Sequence, residues 1–375
     1  MPSRRDLSEF RKLLLGWFGT SQRDLPWRHN KDPYRIWLSE IMLQQTRVAA
    51  VIPYYETFLA RFPTIRALAE APQEEVLRLW SGLGYYSRAR NLQRAAQQIV
   101  ATHGGEFPRD PDAALALPGI GSYTAAAILS IAFGAEHAVL DGNVARVIAR
   151  LEAVRGDLRE GGRWRGLQES ADQLLDPKSP SDWNQAMMEL GAMICTPRAP
   201  QCLLCPVAKF CRARQMGLTE VIPKKRKKRA TVEITLAAAV ILDSRGHTLL
   251  LPPPHASRKH ATHSEVAPLV SKMWHFPTVS VQKNAVGELR EFLSRLSAIP
   301  AKVAEMELEP LSRARHAVTY RAITLLPYRV RVSRLPRIAG AKSVLLSELV
   351  SRSSVAVSNL TRKIAQAALA RVSEV

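Results

Sequence analysis

The four cysteines of this chain constrain its fold more than any other feature, because all of them fall between residues 195 and 211. Their spacing is C-x6-C-x2-C-x5-C, with helical patterns on both sides. Such a set forms disulfides within itself or binds a metal, and the helical flanks and the lack of a secretory leader argue against disulfides. Structural zinc usually uses two short clips, whereas only Cys202 and Cys205 form one. The spacing therefore favours a [4Fe–4S] cluster over zinc, with four unrelated buried thiols as the remaining alternative.

The size and charge of the chain limit what it can bind. Its 375 residues exceed what one compact core usually holds and predict two domains. The net charge is +20 and the pI is near 10.3, which indicates a polyanionic partner, most simply nucleic acid, with anionic membrane surfaces as the alternative. No apolar run approaches the roughly 20 residues of a membrane-spanning helix. Because MPSRRDLSEF lacks an apolar leader, we expect a cytoplasmic protein, associated with the nucleoid if the source is bacterial.

The hydrophobic pattern divides the chain into two parts. Apolar residues return at intervals of three and four between Pro and Gly stops, which predicts a helical domain over residues 1–222. The basic run that follows is interpreted as a linker over 223–230 that can also touch phosphate. Residues 231–375 mix strand and helix patterns and predict an α+β domain. Its predicted strands cover 231–243, 247–254 and 317–332, and its predicted helices cover 288–296 and 358–372.

Residues 34–60 have the pattern of one long amphipathic helix with a carboxylate off its apolar stripe. The predicted stripe consists of Leu38, Ile41, Met42, Val48, Ala49 and Ile52. Glu40 lies outside it, and an exposed carboxylate paired with Arg35 or Arg47 is one interpretation. However, residues 44–46 (Gln-Gln-Thr) are uncharged and suited to hydrogen bonds with base edges, which favours a functional face.

A second motif, ALPGIGSYTAAAILSIAF (116–133), joins a short helix to a long one. Gly119 and Gly121 allow the backbone to turn with its N–H groups outward, beside the positive end of the next helix. This predicts a site for a DNA phosphate, although such hairpins also use Gly purely to turn. Asp141 precedes another periodic helix and suits its N-cap, but capping does not explain the polar Gly142-Asn143 after it.

Several segments together resemble the adenine DNA glycosylases of the helix-hairpin-helix superfamily, the MutY-type enzymes that remove adenine mispaired with 8-oxoguanine. The segments are WLSEIMLQQT, WSGLGYYSRARNL, LPGIGSYTA, LDGNVARV, NQAMMELGAMIC and the four-cysteine loop. The resemblance is dense over residues 8–222 and looser over 231–375. It implies a multidomain protein: an all-α helix-hairpin-helix glycosylase domain with a [4Fe–4S] loop, followed by an α+β Nudix-like domain. The implied partner is duplex DNA with adenine opposite 8-oxoguanine or guanine.

The type of glycosylase depends on two positions, one of which is LDGNV (140–144), where endonuclease III-like relatives read VDTHV. Endonuclease III-like relatives carry a lysine nucleophile where this chain has Tyr123. Without an amine there, an enzyme–sugar imine is disfavoured, so the resemblance implies a monofunctional glycosylase. An endonuclease III-like glycosylase/lyase for oxidised pyrimidines and a non-catalytic DNA-binding protein remain the alternatives. We expect a monomer without membrane attachment, since neither half shows a spare heptad stripe.

The resemblance also assigns roles to individual polar residues. It implies that Glu40 is the acid that protonates N7 of adenine, with a pKa raised by an apolar pocket. Asp141 is implied to stay ionised and to stabilise or transiently bond C1′ of the sugar, as in glycoside hydrolysis. Tyr123 and Asn143 are implied to orient Asp141 through hydrogen bonds.

Further residues are implied to hold the DNA once adenine has left the stack. The pocket residues by resemblance are Leu25, Trp27, Arg28, Leu43, Gln45, Thr46 and Gln185. For Trp27, ordinary core burial is the alternative. Gln44 and Tyr85 correspond to wedge residues that fill the vacated space. Basic residues in and after the cysteine loop predict phosphate contact, namely Arg198, Lys209, Arg212 and Arg214.

In this family the C-terminal domain resembles Nudix hydrolases and reads the 8-oxoguanine strand. The segment KMWHFP (272–277) fits that domain, but VGELREFLSRL lacks the paired Glu residues of a working Nudix enzyme, so hydrolysis there is not expected. The lesion-reading loop of the family contains Phe-Ser-His, where this chain has Val318-Thr319-Tyr320. We expect His316, Thr319 and Tyr320 to contact the lesion strand, with the strictness of the preference for 8-oxoguanine over guanine left open.

Overall fold

A computed structural model describes residues 4–224, 229–252, 273–296, 307–350 and 354–370. The chain forms two compact units. The first comprises Met1–Glu70 and Asn91–Lys227, and the second comprises Ala71–Arg90 and Lys228–Val375. Part of the predicted basic linker, residues 225–228, lies outside the described residues. The sequence analysis placed Ala71–Arg90 in the first domain, whereas the structure groups this segment with the second unit.

Helices form most of the chain up to residue 215. They are α1 (Arg4–Ser21), α2 (Pro33–Leu43), α3 (Val48–Arg61), α4 (Ile65–Glu70), α5 (Gln73–Trp80), α6 (Ser87–Thr102), α7 (Pro111–Leu115), α8 (Ser122–Phe133), α9 (Gly142–Glu152), α10 (Arg163–Leu174), α11 (Pro180–Met193) and α12 (Arg212–Gln215). Within the first unit α8 packs against α2 and α11, and α11 also packs against α1 and α9. Across the described ranges, every helix is too short or too polar to cross a lipid bilayer.

The predicted long helix over residues 34–60 is wrong, because the chain breaks at 44–47 into α2 and α3. Gln45 adopts a left-handed conformation with φ 57°, which a continuous helix excludes. The three stripe residues on α2 are buried as predicted, but the break changes the helical phase after it. The buried side chains of α3 are therefore Val51, Tyr55 and Phe58 instead of the predicted Val48, Ala49 and Ile52.

The second unit contains a mixed sheet with helices on both faces. The strands are β1 (Val232–Asp243), β2 (His247–Leu250), β3 (Thr278–Ser280), β4 (Glu309–Pro310), β5 (Ala314–Val318), β6 (Arg321–Val332) and β7 (Lys342–Leu345), and the helices are α13 (Ala285–Arg295) and α14 (Asn359–Ala370). The order is β4-β6-β1-β2-β7, with β3 also on β1 and β5 also on β6. The central pair β1–β6 is parallel, and the other described pairs are antiparallel.

Residues 236–242 of β1 are all buried, and their side chains point alternately to the two sides of the sheet, as expected for a strand covered on both faces. Leu236, Ala238 and Val240 pack with residues of α14, whereas Ala237 and Ile241 pack with residues of α13. Both faces of β1 therefore lie in apolar layers. This arrangement agrees with the predicted α+β mixture.

Two predicted elements of this unit differ from the structure. The predicted strand over 317–332 is the hairpin β5–β6, and the chain turns at Thr319-Tyr320 with φ 55° at Thr319. The alternation of apolar residues continues through this short turn, so the sequence pattern did not reveal the turn. Residues 253–254, 272 and 371–372 of three other predicted segments lie outside the described residues.

Polar contacts explain why Ala71–Arg90 groups with the second unit. Ser81 donates a hydrogen bond from Oγ to the carbonyl oxygen of Val357 at 2.6 Å. The Asn359 amide donates to the carbonyl oxygen of Gly82 at 3.1 Å, and the Trp274 indole donates to Glu74 at 3.1 Å. These partners lie far away in sequence, so no local pattern predicts the grouping.

Gly191 on α11 provides a test of the packing between α11 and α9. A Cβ atom on Gly191 would lie 2.8 Å from Cβ of Asn143 and 3.1 Å from its carbonyl carbon and oxygen. Because backbone cannot move aside cheaply, we expect Gly191→Ala to lower the free energy of unfolding by about 1–3 kcal/mol. The matched control is Gly166→Ala on α10, where nothing lies within 4 Å and stability should rise by about 0.5–1 kcal/mol. Urea unfolding monitored by circular dichroism measures both, and equal effects would contradict the packing described.

Candidate active site

A cavity of about 620 Å³ opens in the first unit. Glu40 from α2, Tyr123 from α8, and Asp141 and Asn143 from the start of α9 line it together. The other predicted site residues on its wall are Leu25, Trp27, Arg28, Leu43, Gln44, Gln45, Thr46 and Gln185. Two carboxyls that are far apart in sequence thus face one space, whose volume is within the usual range of small-ligand pockets.

Glu40 is buried, with 7% of its surface exposed. The Tyr123 hydroxyl donates a hydrogen bond to Oε2 of Glu40 at 2.7 Å. The interpretation of Glu40 as an exposed partner of Arg35 or Arg47 is therefore wrong, and Arg35 pairs with Asp32 instead. The predicted hydrogen bond from Tyr123 to Asp141 is also wrong, because the phenol bonds the other carboxyl.

The environment of Glu40 favours its protonated form. The pKa of Glu40 is raised to about 7, mainly by burial and also by the negative charge of the nearby Asp141. The Tyr123 hydrogen bond and the charge of Arg28 lower this pKa without cancelling the effect of burial. A carboxyl with this pKa retains a proton near neutral pH and can still transfer it.

Asp141 is the N-cap of α9. Its Oδ1 accepts hydrogen bonds from the backbone N–H groups of Asn143 at 2.9 Å and Val144 at 2.7 Å. Burial raises the pKa of Asp141 overall, and these amides, Arg146 and the Asn143 side chain offset part of that rise. The capping interpretation is thus correct, and the same side chain also faces the cavity. Capping and a role in the cavity are therefore compatible.

A buried polar bridge fixes the chain just before Asp141. The Asn184 side chain on α11 accepts from the N–H of Val139 at 3.1 Å and donates to the carbonyl oxygen of His137 at 2.8 Å. It also donates to Oγ of Ser130 on α8 at 2.8 Å. This extended segment is therefore held by both helices that pack behind the site.

Glu189 is a site residue that the sequence analysis missed. It lies on α11 with 1% of its side chain exposed and accepts from Nε and Nη2 of Arg23, each at 2.7 Å. Nη2 of Arg28 donates to it at 2.9 Å. Burial raises the pKa of Glu189, but the hydrogen bonds from the two arginines outweigh burial and bring it to about 2. The spacing of four from Gln185 on one helix face is the signal that could have revealed it.

Other cavity residues were also missed. Arg159 stacks its guanidinium over the Trp164 ring at 5.5 Å, and both line the cavity. Met188 lies between Gln185 and Glu189 in sequence, and its Sδ is 3.3 Å from the Tyr123 hydroxyl. The remaining lining residues are Ile36, Ser39, Val48, Ile131, Leu140, Gly142 and Ala192.

The two hairpin glycines differ in their conformations. Gly119 has φ 81°, and a Cβ atom there would lie 2.8 Å from Cβ of Asn91. Gly121 is the N-cap of α8 in an extended conformation, with φ −103° and ψ 178°, that any residue adopts. The predicted need for glycine in the turn therefore applies to Gly119 and not to Gly121, which has open space around its Cα.

The predicted wedge and lesion-reading residues Tyr85, His316, Thr319 and Tyr320 belong to the second unit. Tyr85 has φ 49° and is 40% exposed, with the Arg88 guanidinium 5.6 Å above its ring. His316 lies on β5, where burial and the charge of Lys363 lower its pKa.

The turn of the β5–β6 hairpin presents Thr319 to solvent. Its hydroxyl donates to the carbonyl oxygen of Val318 at 2.7 Å. The neighbouring Tyr320 ring has the guanidinium of Arg229 at 3.9 Å and that of Arg321 at 4.8 Å from its centroid. The hairpin turn therefore combines a hydroxyl, an aromatic ring and two cations.

The four cysteines line one small cavity of about 30 Å³ in the first unit, and none forms a disulfide. Burial raises the pKa of the Cys205 thiol to about 12 and that of Cys211 in the same direction, and the neighbouring thiols add to both. In the described part of the chain, no group of three or more His, Cys, Asp or Glu residues is arranged to hold a single metal ion. Four thiols around one cavity are the donor set of a [4Fe–4S] cluster.

Two buried arginines on α9 connect the cysteine loop with the start of that helix. Arg146 donates from Nη2 to Oδ1 of Asn143 at 3.0 Å and from Nε to the carbonyl oxygen of Cys195 at 2.7 Å. Arg150 donates to Sγ of Cys195 at 3.2 Å and to the carbonyl oxygen of Thr196 at 2.8 Å. One helix therefore contacts the candidate active site at its N-terminus and the cysteine loop along its length.

Residues 38–163 match the model of a family described as HhH-GPD superfamily base excision DNA repair proteins. The adenine DNA glycosylase of Homo sapiens is 49% identical over 223 residues, which cover 56% of this chain and 41% of that protein. The adenine DNA glycosylase of Rattus norvegicus is 35% identical over 376 residues, which cover 86% of this chain and 70% of that protein. The chain therefore matches less than half of the human relative's length.

Solved structures are similar to somewhat more than half of this chain. A thermostable thymine-DNA glycosylase has a TM-score of 0.52 and 32% sequence identity, covering 56% of this chain and 98% of that one. An endonuclease III in a non-covalent DNA complex has a TM-score of 0.50 at 22% identity over 58% of this chain and 99% of that one. The latter likeness shows a shared fold.

The buried charges around Glu189 generate a stability prediction. Glu189→Gln would leave Arg23 and Arg28 without their shared carboxylate, so we expect the free energy of unfolding at pH 7 to fall by about 2–4 kcal/mol. The pKa of Glu189 is about 2 in the folded protein and 4.5 for an unperturbed glutamate. The stabilisation that its carboxylate provides is therefore complete above pH 4.5 and is lost as the pH falls toward 2. Urea unfolding at pH 7, 4 and 3 should show the difference from wild type shrinking.

The matched control is Glu291→Gln, which removes the exposed ion pair with Arg295 on α13 and should change stability little. A stability difference for Glu189→Gln that stays constant from pH 7 to pH 3 would contradict the assignment of this ion pair.

Proposed function

Because the chain belongs to the adenine DNA glycosylase family, we propose that it is a monofunctional glycosylase that hydrolyses the N-glycosidic bond of adenine mispaired with 8-oxoguanine or guanine in duplex DNA. The proposal depends on one observation: Glu40 and Asp141 line the same cavity, and their carboxyls have different hydrogen-bond partners and charges around them. The net charge of +20 supports a polyanionic partner.

Adenine has to leave the base stack before a side chain can act on it. The cavity offers apolar wall from Leu25 and Trp27, and hydrogen-bonding groups from Arg28 and Gln185. The ion pair with Glu189 fixes the Arg28 guanidinium. A planar, partly polar base matches this combination, because apolar contact supplies affinity and the few polar groups supply orientation.

Glu40 is suited to be the general acid. Adenine is a poor leaving group until it is protonated, so a carboxyl with a pKa near 7 supplies what the reaction needs at neutral pH. The proton passes from Glu40 to N7 of adenine. The bond between C1′ and N9 then breaks with its electron pair going to the base, which leaves positive charge on the sugar.

Asp141 is suited to stabilise that positive charge. Two backbone N–H groups and the positive end of the eleven-residue α9 favour its ionised form. The carboxylate stabilises the oxocarbenium or bonds transiently to C1′ before water completes hydrolysis. The phenol of Tyr123 stands where a lyase needs an amine, so no imine with the sugar forms.

We assign a [4Fe–4S] cluster to Cys195, Cys202, Cys205 and Cys211, which share one cavity. When bound, it would crosslink the loop and hold its basic residues, including Arg198 and Lys209, for phosphate contact. Iron content and broad visible absorbance of the purified protein test this assignment.

We also propose that the second unit contacts the DNA strand opposite the adenine. In this proposal it is a Nudix-like domain without Nudix catalysis. The β5–β6 hairpin supports this assignment with an exposed Thr319 hydroxyl beside the Tyr320 ring and its two arginines. An aromatic ring with flanking guanidiniums suits stacking and phosphate contact together.

Loss of either carboxyl should slow catalysis strongly. Glu40→Gln and Asp141→Asn should each slow single-turnover adenine release by about a thousandfold or more, because charge-stabilising groups are worth a few kcal/mol in the transition state. Duplex binding should stay within a few fold of wild type. The assay uses duplexes with adenine opposite 8-oxoguanine or guanine, and alkali reveals the abasic sites.

Glu56→Gln, on the exposed side of α3, is the control and should react like wild type. Normal excision by either carboxyl variant would overturn the assignment. Strand breaks without alkali on oxidised-pyrimidine duplexes would indicate an endonuclease III-like lyase, and inert wild-type protein would indicate a DNA-binding protein.

The second catalytic prediction concerns pH. The raised pKa of Glu40 means that the acid is protonated below about pH 7 and loses its proton above it, so the rate should fall about tenfold per pH unit on the alkaline side. Tyr123→Phe removes a hydrogen bond that lowers this pKa, and the alkaline limb should therefore move to higher pH. A limb that stays in place in this variant would contradict the coupling.

A further inference from the structure

The Tyr123 hydroxyl lies between two possible acceptors. Oε2 of Glu40 is 2.7 Å away and Sδ of Met188 is 3.3 Å away. A thioether is a weak acceptor, so the carboxyl takes the hydrogen bond. Met188 also lines the cavity and is half-buried. Its sulfur is thus beside the proposed acid and on the wall of a cavity that solvent can enter.

We propose that Met188 is a site of reversible oxidation by peroxides, and that its sulfoxide withdraws the Tyr123 hydroxyl from Glu40 and slows base excision. A sulfur lone pair attacks one oxygen of hydrogen peroxide, the S–O bond forms and the O–O bond breaks. The sulfur is oxidised by two electrons, and the second oxygen leaves as water after taking the remaining proton. The inference rests on the proposed function for its effect on rate.

The consequence follows from the change in acceptor strength. A sulfoxide oxygen is polar and a much stronger acceptor than a thioether, and it projects from a sulfur already in contact with the hydroxyl. Glu40 then loses the hydrogen bond that orients its carboxyl. Because that bond also lowers the pKa of Glu40, its loss makes the carboxyl a weaker acid.

The surroundings distinguish Met188 from the other methionines that the structure describes. Met193, on the same helix, is also half-buried, but it does not line the cavity. Met187, Met42 and Met273 are almost fully buried, with at most 2% of their surface exposed. Met216 is 51% exposed but does not line the cavity, so it oxidises without touching Tyr123. The chain therefore offers a matched pair: Met188 in the site and Met216 outside it.

The experiment treats the purified full-length, cluster-containing protein with dilute hydrogen peroxide and compares each variant with its own untreated sample. Peptide mass spectrometry locates the added oxygen. The wild-type single-turnover rate should fall by about tenfold or more, and methionine sulfoxide reductases should restore it. Met216→Leu should lose activity as wild type does, whereas the treated-to-untreated ratio of Met188→Leu should stay near one. That ratio cancels any effect of the leucine itself.

A pH profile separates this mechanism from general damage. The alkaline limb of the oxidised wild type should move to higher pH, as in Tyr123→Phe, and the visible absorbance should show the cluster intact. Equal losses in Met188→Leu and wild type would overturn the inference. So would a sulfoxide at Met188 with an unchanged rate, or oxidation of Met216 that leaves Met188 unmodified.

The untreated rate tests the proposed function separately. If untreated wild type released no adenine, that function would fail, and the peptide masses would still decide whether Met188 is oxidised.

Discussion

The hydrogen bond between Tyr123 and Glu40 is the contact on which the rest of the site depends. It joins α8 to α2 at the cavity wall and gives a buried carboxyl a neutral partner. Asp141 receives backbone N–H groups at the start of a helix instead. Since a neutral donor compensates burial less than aligned amides do, the two carboxyls differ although they share one space. This difference allows an acid and an anion to coexist on one wall.

Buried charge around this pair is compensated locally. Glu189 forms ion pairs with both Arg23 and Arg28 at one side of the cavity, and Arg146 donates hydrogen bonds to Asn143 and to the carbonyl oxygen of Cys195 at another. Each guanidinium makes several hydrogen bonds, which is the condition under which buried arginines are tolerated. Hydrogen bonds thus hold the charged groups of the cavity wall, while residues 44–46 at the break after α2 supply uncharged polar groups.

The sequence predicted the parts of this architecture that depend on local pattern or recognised motifs. It indicated the helical periodicity and the strand β1. The recognised motifs also placed Glu40, Asp141 and Trp27 in one site. The break at Gln45 could not be predicted, because a left-handed residue between two helices does not alter the pattern of apolar residues in the sequence. Glu189 and the true partner of Tyr123 also escaped, since both are defined by side chains more than 60 residues away in sequence.

The grouping of Ala71–Arg90 with the second unit has a kinetic consequence during synthesis. This segment emerges early, but its partners Trp274, Val357 and Asn359 come near the end of the chain. At about 5–20 residues per second, the ribosome needs on the order of ten seconds to a minute to deliver them. Meanwhile Glu74, Ser81 and Gly82 lack these hydrogen-bond partners. This stretch therefore completes its long-range hydrogen bonds only after nearly all of the chain has been synthesised.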